Sequence, residues 1–450
     1  MLGVAWLLVI VYAFPGQMTP DTFDHLGEAR LGIYTDGHPP ALDLLFDVID
    51  HVAPIPLTIL VAETAGFLLG LYLILRRTFA PERAAWIAAA LFVFPPVMTT
   101  MVCVWKDSLM PALLVLGIAG LMSEQRGRRL AGLAALCGAS AVRYNAFAAT
   151  LPLVALLFEW ERGMPWLKRY AIAAAAWLGI TAAAFAFNRA LVDVEMHYWE
   201  SSLAVHDIAG TLAHVDGELP DAELEQLLAG SELRVHDHIH ARIREVYTPK
   251  NFFPLLSGDR ALWTLPFYGH DPAPEAQRDA IARAWWQIVT SYPRAYAAHR
   301  LAVMGQVLSL SRGRAVQAVL RRAFDYPQGP IDAGTGTRWS ELQLALTDAL
   351  TVVWKRTALF EPWMYLVIAL LVVPLALRHR DVLALLASGI LLEATLLPLA
   401  PTPDYRYSQW MILCTCISAV VLVARRYRQA AWLRPAATSQ HTDASQASTQ

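Results

Sequence analysis

The sequence predicts an all-α polytopic membrane protein of about ten transmembrane helices with an extracytoplasmic, mostly helical region. Three observations predict it. Of 450 residues, 56% are hydrophobic and only 16% are charged, against about 25% charged in soluble domains. Mean hydropathy is +0.39, and apolar runs approaching the ~20 residues that cross a bilayer recur along the chain. Arginines gather in every second break between those runs, as the positive-inside rule expects of cytoplasmic loops. The net charge of −2 comes from charges divided among separate breaks, so no continuous basic surface is offered to nucleic acid. Cys103, Cys137, Cys414 and Cys416 all fall in apolar runs and imply no disulfide framework.

The expected spans are 1–14, 54–75, 84–104, 109–122, 130–142, 146–159, 170–190, 360–377, 382–400 and 408–424. The first, MLGVAWLLVIVYAF, lacks the charged start and small-residue cleavage site of a signal peptide. At 1.5 Å per residue it reaches about 21 Å, short of a ~30 Å hydrocarbon core, and whether the N-terminus is complete stays open. The breaks holding Arg76, Arg77 and Arg83; Arg126, Arg128 and Arg129; Arg162, Lys168 and Arg169; Arg378 and Arg380; and Arg425, Arg426 and Arg428 all fall on one side if both termini are cytoplasmic. The other side receives 15–53, 105–108, 143–145, 191–359 and 403–407. The expected organisation is a transmembrane module over 1–190, including the first extracytoplasmic loop at 15–53; an extracytoplasmic helical region at 191–359; transmembrane helices over 360–428; and a disordered cytoplasmic tail at 429–450. Segments 221–229 and 275–292 have helical periodicity, 232–247 reads as a solvated amphipathic helix, and 293–311 is expected to lie along the interface.

The first loop carries the densest chemistry. Pro20-Asp21 suits a helix start, so Asp21 reads equally as a first-turn capping residue or as one of two carboxylates. Asp24 follows one turn later on nearly the same face, and the two can point into one cavity. Downstream, Asp36-Gly37-His38-Pro39-Pro40 stiffens the chain and aims His38 in a fixed direction.

Phe23-Asp24 followed by Thr35-Asp36-Gly37-His38-Pro39-Pro40 resembles the Phe-Asp-Glu and Asp-x-His-Pro-Pro pattern of the protein O-mannosyltransferases and the related aminoarabinose transferases. These belong to the C-type (GT-C) glycosyltransferase superfamily. The detailed likeness covers about 20 residues. His25 stands where the family has a second acidic residue, and the spacing from Asp24 to His38 is shorter. The resemblance implies a multi-pass protein of a bacterial-type inner membrane, its site facing the periplasm or cell exterior. Its donor would be a polyprenyl-phosphate-linked sugar and its acceptor a lipid, glycan or protein.

Such a transfer needs a carboxylate to take the acceptor's hydroxyl proton and positive charge to hold the leaving phosphate. Asp24 is the preferred base and Asp21 the second choice. His38 and Asp36 are expected to orient substrate; Lys106-Asp107, Arg143-Tyr144 and Tyr405-Arg406 lie in tight outer breaks as candidates for substrate and phosphate binding. Against these stand plainer readings: a surface ion pair for Lys106-Asp107, snorkelling for Arg143, and a local pair in an aromatic belt for Asp404 to Tyr407. A monophosphate donor does not demand a metal, and metal dependence stays open. His236, His238 and His240 do not share one helical face, so a solvated helix is preferred there to a metal site. Trp285-Trp286 reads as interface anchoring in preference to sugar stacking, while Glu63 and Glu393 receive no role. Two other functions fit a polytopic chain: a transporter or flippase of a lipid-linked sugar, and an inactive assembly factor. The lack of an internal repeat and the gathering of charges on one side favour the transferase.

Overall fold

The computed structural model describes residues 1–53, 55–161, 163–266, 271–310, 318–320 and 340–432. Among these, regular structure is helical, and extended pairing is confined to three isolated bridges. Arg162 and residues 433–450, most of the expected tail, lie outside the described residues.

From the N-terminus come α1 (Leu2–Ala13), α2 (Pro20–Leu31), α3 (Pro40–Asp50), α4 (Ile55–Leu75), α5 (Pro81–Phe92) and α6 (Pro95–Met101). The bundle continues through α7 (Lys106–Leu121), α8 (Arg126–Val142), α9 (Ala146–Leu157) and α10 (Trp166–Leu191). Prolines open α2, α3, α5 and α6, where a missing N–H leaves no hydrogen bond unmade. The single helix expected over 84–104 is broken. Its two parts, α5 and α6, meet at 71°. Pro95 cannot continue a helix and pushes Phe94 into an extended conformation at φ −61°, ψ 120°.

Helices α4, α10 and α19 (Arg380–Leu399), and the stretch Tyr405–Arg428, are long and apolar enough to cross a membrane; the bent α5–α6 pair makes a fifth only if its two parts form one span. α1, α9 and α18 (Pro362–Ala376) are apolar but shorter. Only 11% of the most apolar stretch of α10 is buried, and Leu178, Phe185 and Phe187 are exposed on it. Such a surface is stable against lipid and not against water. By length and composition this is a membrane protein. The helix α7 meets α8 through small residues: a Cβ on Gly120 would lie 2.7 Å from the Gly132 Cα. That approach lets backbones pack where lipid offers no hydrophobic drive.

The region after α10 has a core of its own. A π-helical turn at Trp199–Ala204 leads into α11 (Val205–Ala213), followed by α12 (Asp221–Leu227), α13 (Ile239–Val246), α14 (Phe253–Leu256), α15 (Glu275–Ser291) and α16 (Pro293–Val307). Ile208, Leu212, Ile243, Trp263 and Ile281 are buried together there, apart from the bundle core. The helix expected over 232–247 starts only at Ile239. Asp221 accepts from the His238 and Ile239 N–H groups at 2.8 Å each, satisfying first-turn donors and fixing the start, while His238 takes φ +52°. Helix α16 buries Ala295, His299, Arg300, Val303 and Val307 against α11 and the end of α19, so it connects two bodies. α17 (Glu341–Arg356), α18, α19 and α20 (Gln409–Trp432) complete the chain.

Candidate functional site

A short backbone pairing brings the first loop to the start of α7. Gln17 N–H donates to Val102 O at 3.2 Å, Val104 N–H donates to Gln17 O at 2.8 Å, and Thr22 Oγ1 donates to Val104 O at 2.7 Å. The start of α2 is held by Thr19 and Thr22, whose backbone-to-hydroxyl bond is 3.1 Å, so Asp21 is not needed as its cap. Asp21 instead points at two cations: Lys106 Nζ at 3.3 Å and an Arg406 guanidinium nitrogen at 2.9 Å.

Arg406 sits on the 3₁₀ turn Tyr405–Ser408, between α19 and α20. Its Nε lies 2.8 Å from Asp404 and 3.6 Å from Asp107, and the guanidinium covers the Trp105 ring at 4.5 Å. Arg143 pairs with Asp107 and donates to Asn145 Oδ1 at 3.0 Å; Asn145 in turn donates to Thr395 at 3.0 Å. Lys106 Nζ lies 2.9 Å from His38 Nδ1. An ammonium can only donate, so this imidazole accepts at Nδ1 and is neutral, with its proton on Nε2.

The first loop and three later breaks in the sequence thus meet in one web. Lys106, Arg143 and Arg406 are balanced by Asp21, Asp107 and Asp404. Asp24 is outside that balance: it is exposed, and its carboxylate has no hydrogen bond or ion pair among the described residues. The two carboxylates are therefore driven apart. Burial disfavours charge on Asp21, but Arg406 and then Lys106 outweigh it and hold its carboxyl well below the usual range. Desolvation by the surrounding protein, followed by the Asp21 charge, pushes the Asp24 carboxyl above its ordinary value. Burial and then Lys106 hold His38 well below the usual imidazole value. A saturated anion beside an unpaired, more basic one suits one group to positioning and the other to accepting a proton.

Two expected site residues have other partners. Asp36 Oδ1 accepts from the Met196 N–H at 2.6 Å, tying the loop to the chain after α10. Tyr405 is 2% exposed and donates to Pro96 O at 2.9 Å beneath Phe360, so it belongs to the core. Tyr144 stays near His38, its hydroxyl donating to the His38 carbonyl at 3.5 Å. Gly37 is required by contact: a Cβ there would lie 1.8 Å from the Tyr198 ring.

Sequence reasoning missed two buried sets. His25 Nδ1 pairs with Asp43, both buried, and the His25 ring lies 4.8 Å from that of His38. The signal available was Asp43 on the apolar face of α3 beside Leu42 and Phe46. The second set joins the two bodies. Asp207 lies 3.0 Å from His299 and 3.2 Å from Arg300, and it accepts from Trp285 Nε1 at 2.9 Å. Arg300 also donates to Leu397 O at 2.7 Å and Ala400 O at 3.2 Å, at the end of α19. Trp285 is partly buried and donates into this set, while Trp286 is exposed.

Elsewhere, Glu393 accepts from Ser408 at 2.8 Å, and the buried Glu63 has no hydrogen-bond partner among the described residues. Both His240 ring nitrogens are engaged, by Leu219 N–H and Leu212 O, and among the described residues no three His, Cys, Asp or Glu side chains are grouped to hold a metal. No protein-family model, curated protein or solved structure matches the chain.

Proposed function

We propose that this chain is an inverting membrane glycosyltransferase that moves one sugar from a polyprenyl-phosphate carrier to an acceptor hydroxyl on a lipid, glycan or protein. The observation that carries the reading is the unpaired Asp24 carboxylate, which feels the charges of Asp21 and Lys106, beside a web in which Asp21 meets Lys106 and Arg406 and Lys106 meets His38. Asp24 accepts the acceptor's proton as its oxygen attacks the anomeric carbon. The carbon–oxygen bond to phosphate breaks on the opposite face, and the electron pair leaves with the polyprenyl phosphate. Lys106 and Arg406 stabilise the charge that develops there. Each already has a carboxylate neighbour, so the phosphate joins an ion-pair web and does not fill an empty cationic nest. Asp21 positions both cations, and His38 Nε2–H is free of Lys106 to donate to substrate.

The reading includes the arrangement in the bilayer. Ten crossings put the basic ends of α4, α7, α9, α18 and α20 in the cytoplasm of a bacterial-type inner membrane. The Asp24 end and the region after α10 then face the periplasm or exterior, where lipid-linked donors are consumed.

The test is mass spectrometry of polyprenyl-phosphate sugars from cells holding wild-type protein, none, or the Asp24→Asn form. One lipid-linked sugar should accumulate in both defective strains, with transfer by Asp24→Asn lowered about 10²–10⁴-fold, as for loss of a general base. Unchanged lipid-linked sugars in an active pathway would count against the transferase and favour transport or assembly.

A further inference from the structure

At the end of the bundle away from Asp21, the ends of α4, α7, α9 and α19, the first turn of α8 and the side of α20 line an open cavity of about 390 Å³. Four arginines line it, Arg77, Arg129, Arg380 and Arg425, with two carboxylates, Glu159 and Asp381. Helix ends of both signs meet there, so the side chains set the sign of the field.

The carboxylates do not balance the arginines. Asp381 is taken up by Arg425 in a two-bonded pair, at 2.9 and 2.5 Å. Glu159 lies 3.0 Å from Arg169, outside the cavity lining, and only 3.9 Å from Arg380. Arg129 is 7% exposed; its terminal nitrogens donate to the carbonyls of Ser123, Glu124 and Trp160, and its Nε has no partner. Carbonyl oxygens satisfy donors but do not cancel a full charge. Arg77 is exposed: its backbone N–H donates to Ile74 O at 3.2 Å, but its guanidinium has no hydrogen bond or ion pair among the described residues. A desolvated arginine with an unused donor, beside two weakly compensated ones, forms a site that an anion completes.

We propose that this cavity binds a phosphate-bearing anion, through the forked guanidiniums of Arg77 and Arg380 with Arg129 behind them. The site is distinct from the Asp24 web and does not depend on the transferase reading. The chemistry has two sources, the phosphodiester head group of an anionic phospholipid or a soluble phosphate. At a membrane helix end, where polar head groups lie, both are at hand.

The test uses the full chain in uncharged detergent and reads thermal unfolding by tryptophan fluorescence. Phosphatidylglycerol in mixed micelles should raise the midpoint, whereas phosphatidylcholine should not. Arg77→Gln/Arg380→Gln should shift the half-effective phosphatidylglycerol concentration at least about tenfold, the scale of one lost charge-assisted contact. Arg77→Gln alone, at an exposed position, serves if the double variant does not fold, with a smaller shift in the same direction. Arg83→Gln is the control, because Arg83 lines a separate apolar groove beside α20. A midpoint gain with inorganic phosphate, abolished by the double variant, supports the site and assigns it to soluble phosphate. A response to phosphatidylglycerol alone supports the lipid. The proposal is overturned if neither probe raises the midpoint, or if Arg83→Gln shifts the lipid response as much as the double variant.

Discussion

His38 shows how a neutral residue can be held in place by a cation. Its Nδ1 accepts from Lys106 at 2.9 Å, and burial together with that ammonium keeps it uncharged. Its ordinary value is 6.5, and the folded state lies well below this. A depressed value contributes stability above the unfolded value and loses it as pH falls, because protonation would place two positive charges side by side. The unfolding midpoint should therefore drop more steeply between pH 7.5 and 5 in wild type than in His38→Gln. Equal slopes would show that His38 does not titrate against Lys106 in that window. Asp24 works in the opposite sense. Its carboxyl is raised above 3.8, so if Asp24 is the base of the proposed transfer, and must be ionised to accept a proton, the rate should rise with pH through a value above that figure.

Among the helices, α19 joins the most parts of the molecule. Thr395 near its end accepts from Asn145 in the Arg143 chain, and Arg300 covers its last carbonyls while resting on the buried Asp207. Arg300→Met should cost about 3–5 kcal/mol, because it leaves a buried carboxylate without its guanidinium. Asp207→Asn/Arg300→Met should cost less than the single change, as read by thermal unfolding; equal losses would mean the pair is not coupled. None of this was legible in the sequence, since Asp207 and Arg300 are 93 residues apart and each sits in an ordinary helical pattern. By contrast, the helices themselves were legible from the length of their apolar runs. The web at Lys106, Arg143 and Arg406 was legible for a physical reason: charges in tight breaks between apolar runs have few other partners. The α5–α6 bend had its signal in Pro95-Pro96, hidden by unbroken hydrophobicity on both sides. Asp36 and Tyr405 had no such signal, because their partners, Met196 and Pro96, are defined only by the fold.

For the molecule as a whole, the proposed ten crossings would place His51 and Arg426 on opposite faces. Single cysteines at these positions, with Cys137 and Cys416 replaced, separate the alternatives. A membrane-impermeant thiol reagent should label His51→Cys in intact spheroplasts and Arg426→Cys only after permeabilisation; labelling of both from one side would refute the count. The two bodies meet where Arg300 joins Asp207 to the end of α19, six residues before Arg406 by way of Ala400. The loop that presents Arg406 is thus braced from outside the bundle. On the proposed reading, in which Arg406 holds the donor phosphate, a ligand on the second body that loosens Arg300 would weaken that grip. Thermodynamic reciprocity then requires the phosphate ligand to weaken that ligand's binding by the same factor, so the affinities of the two halves are one shared quantity.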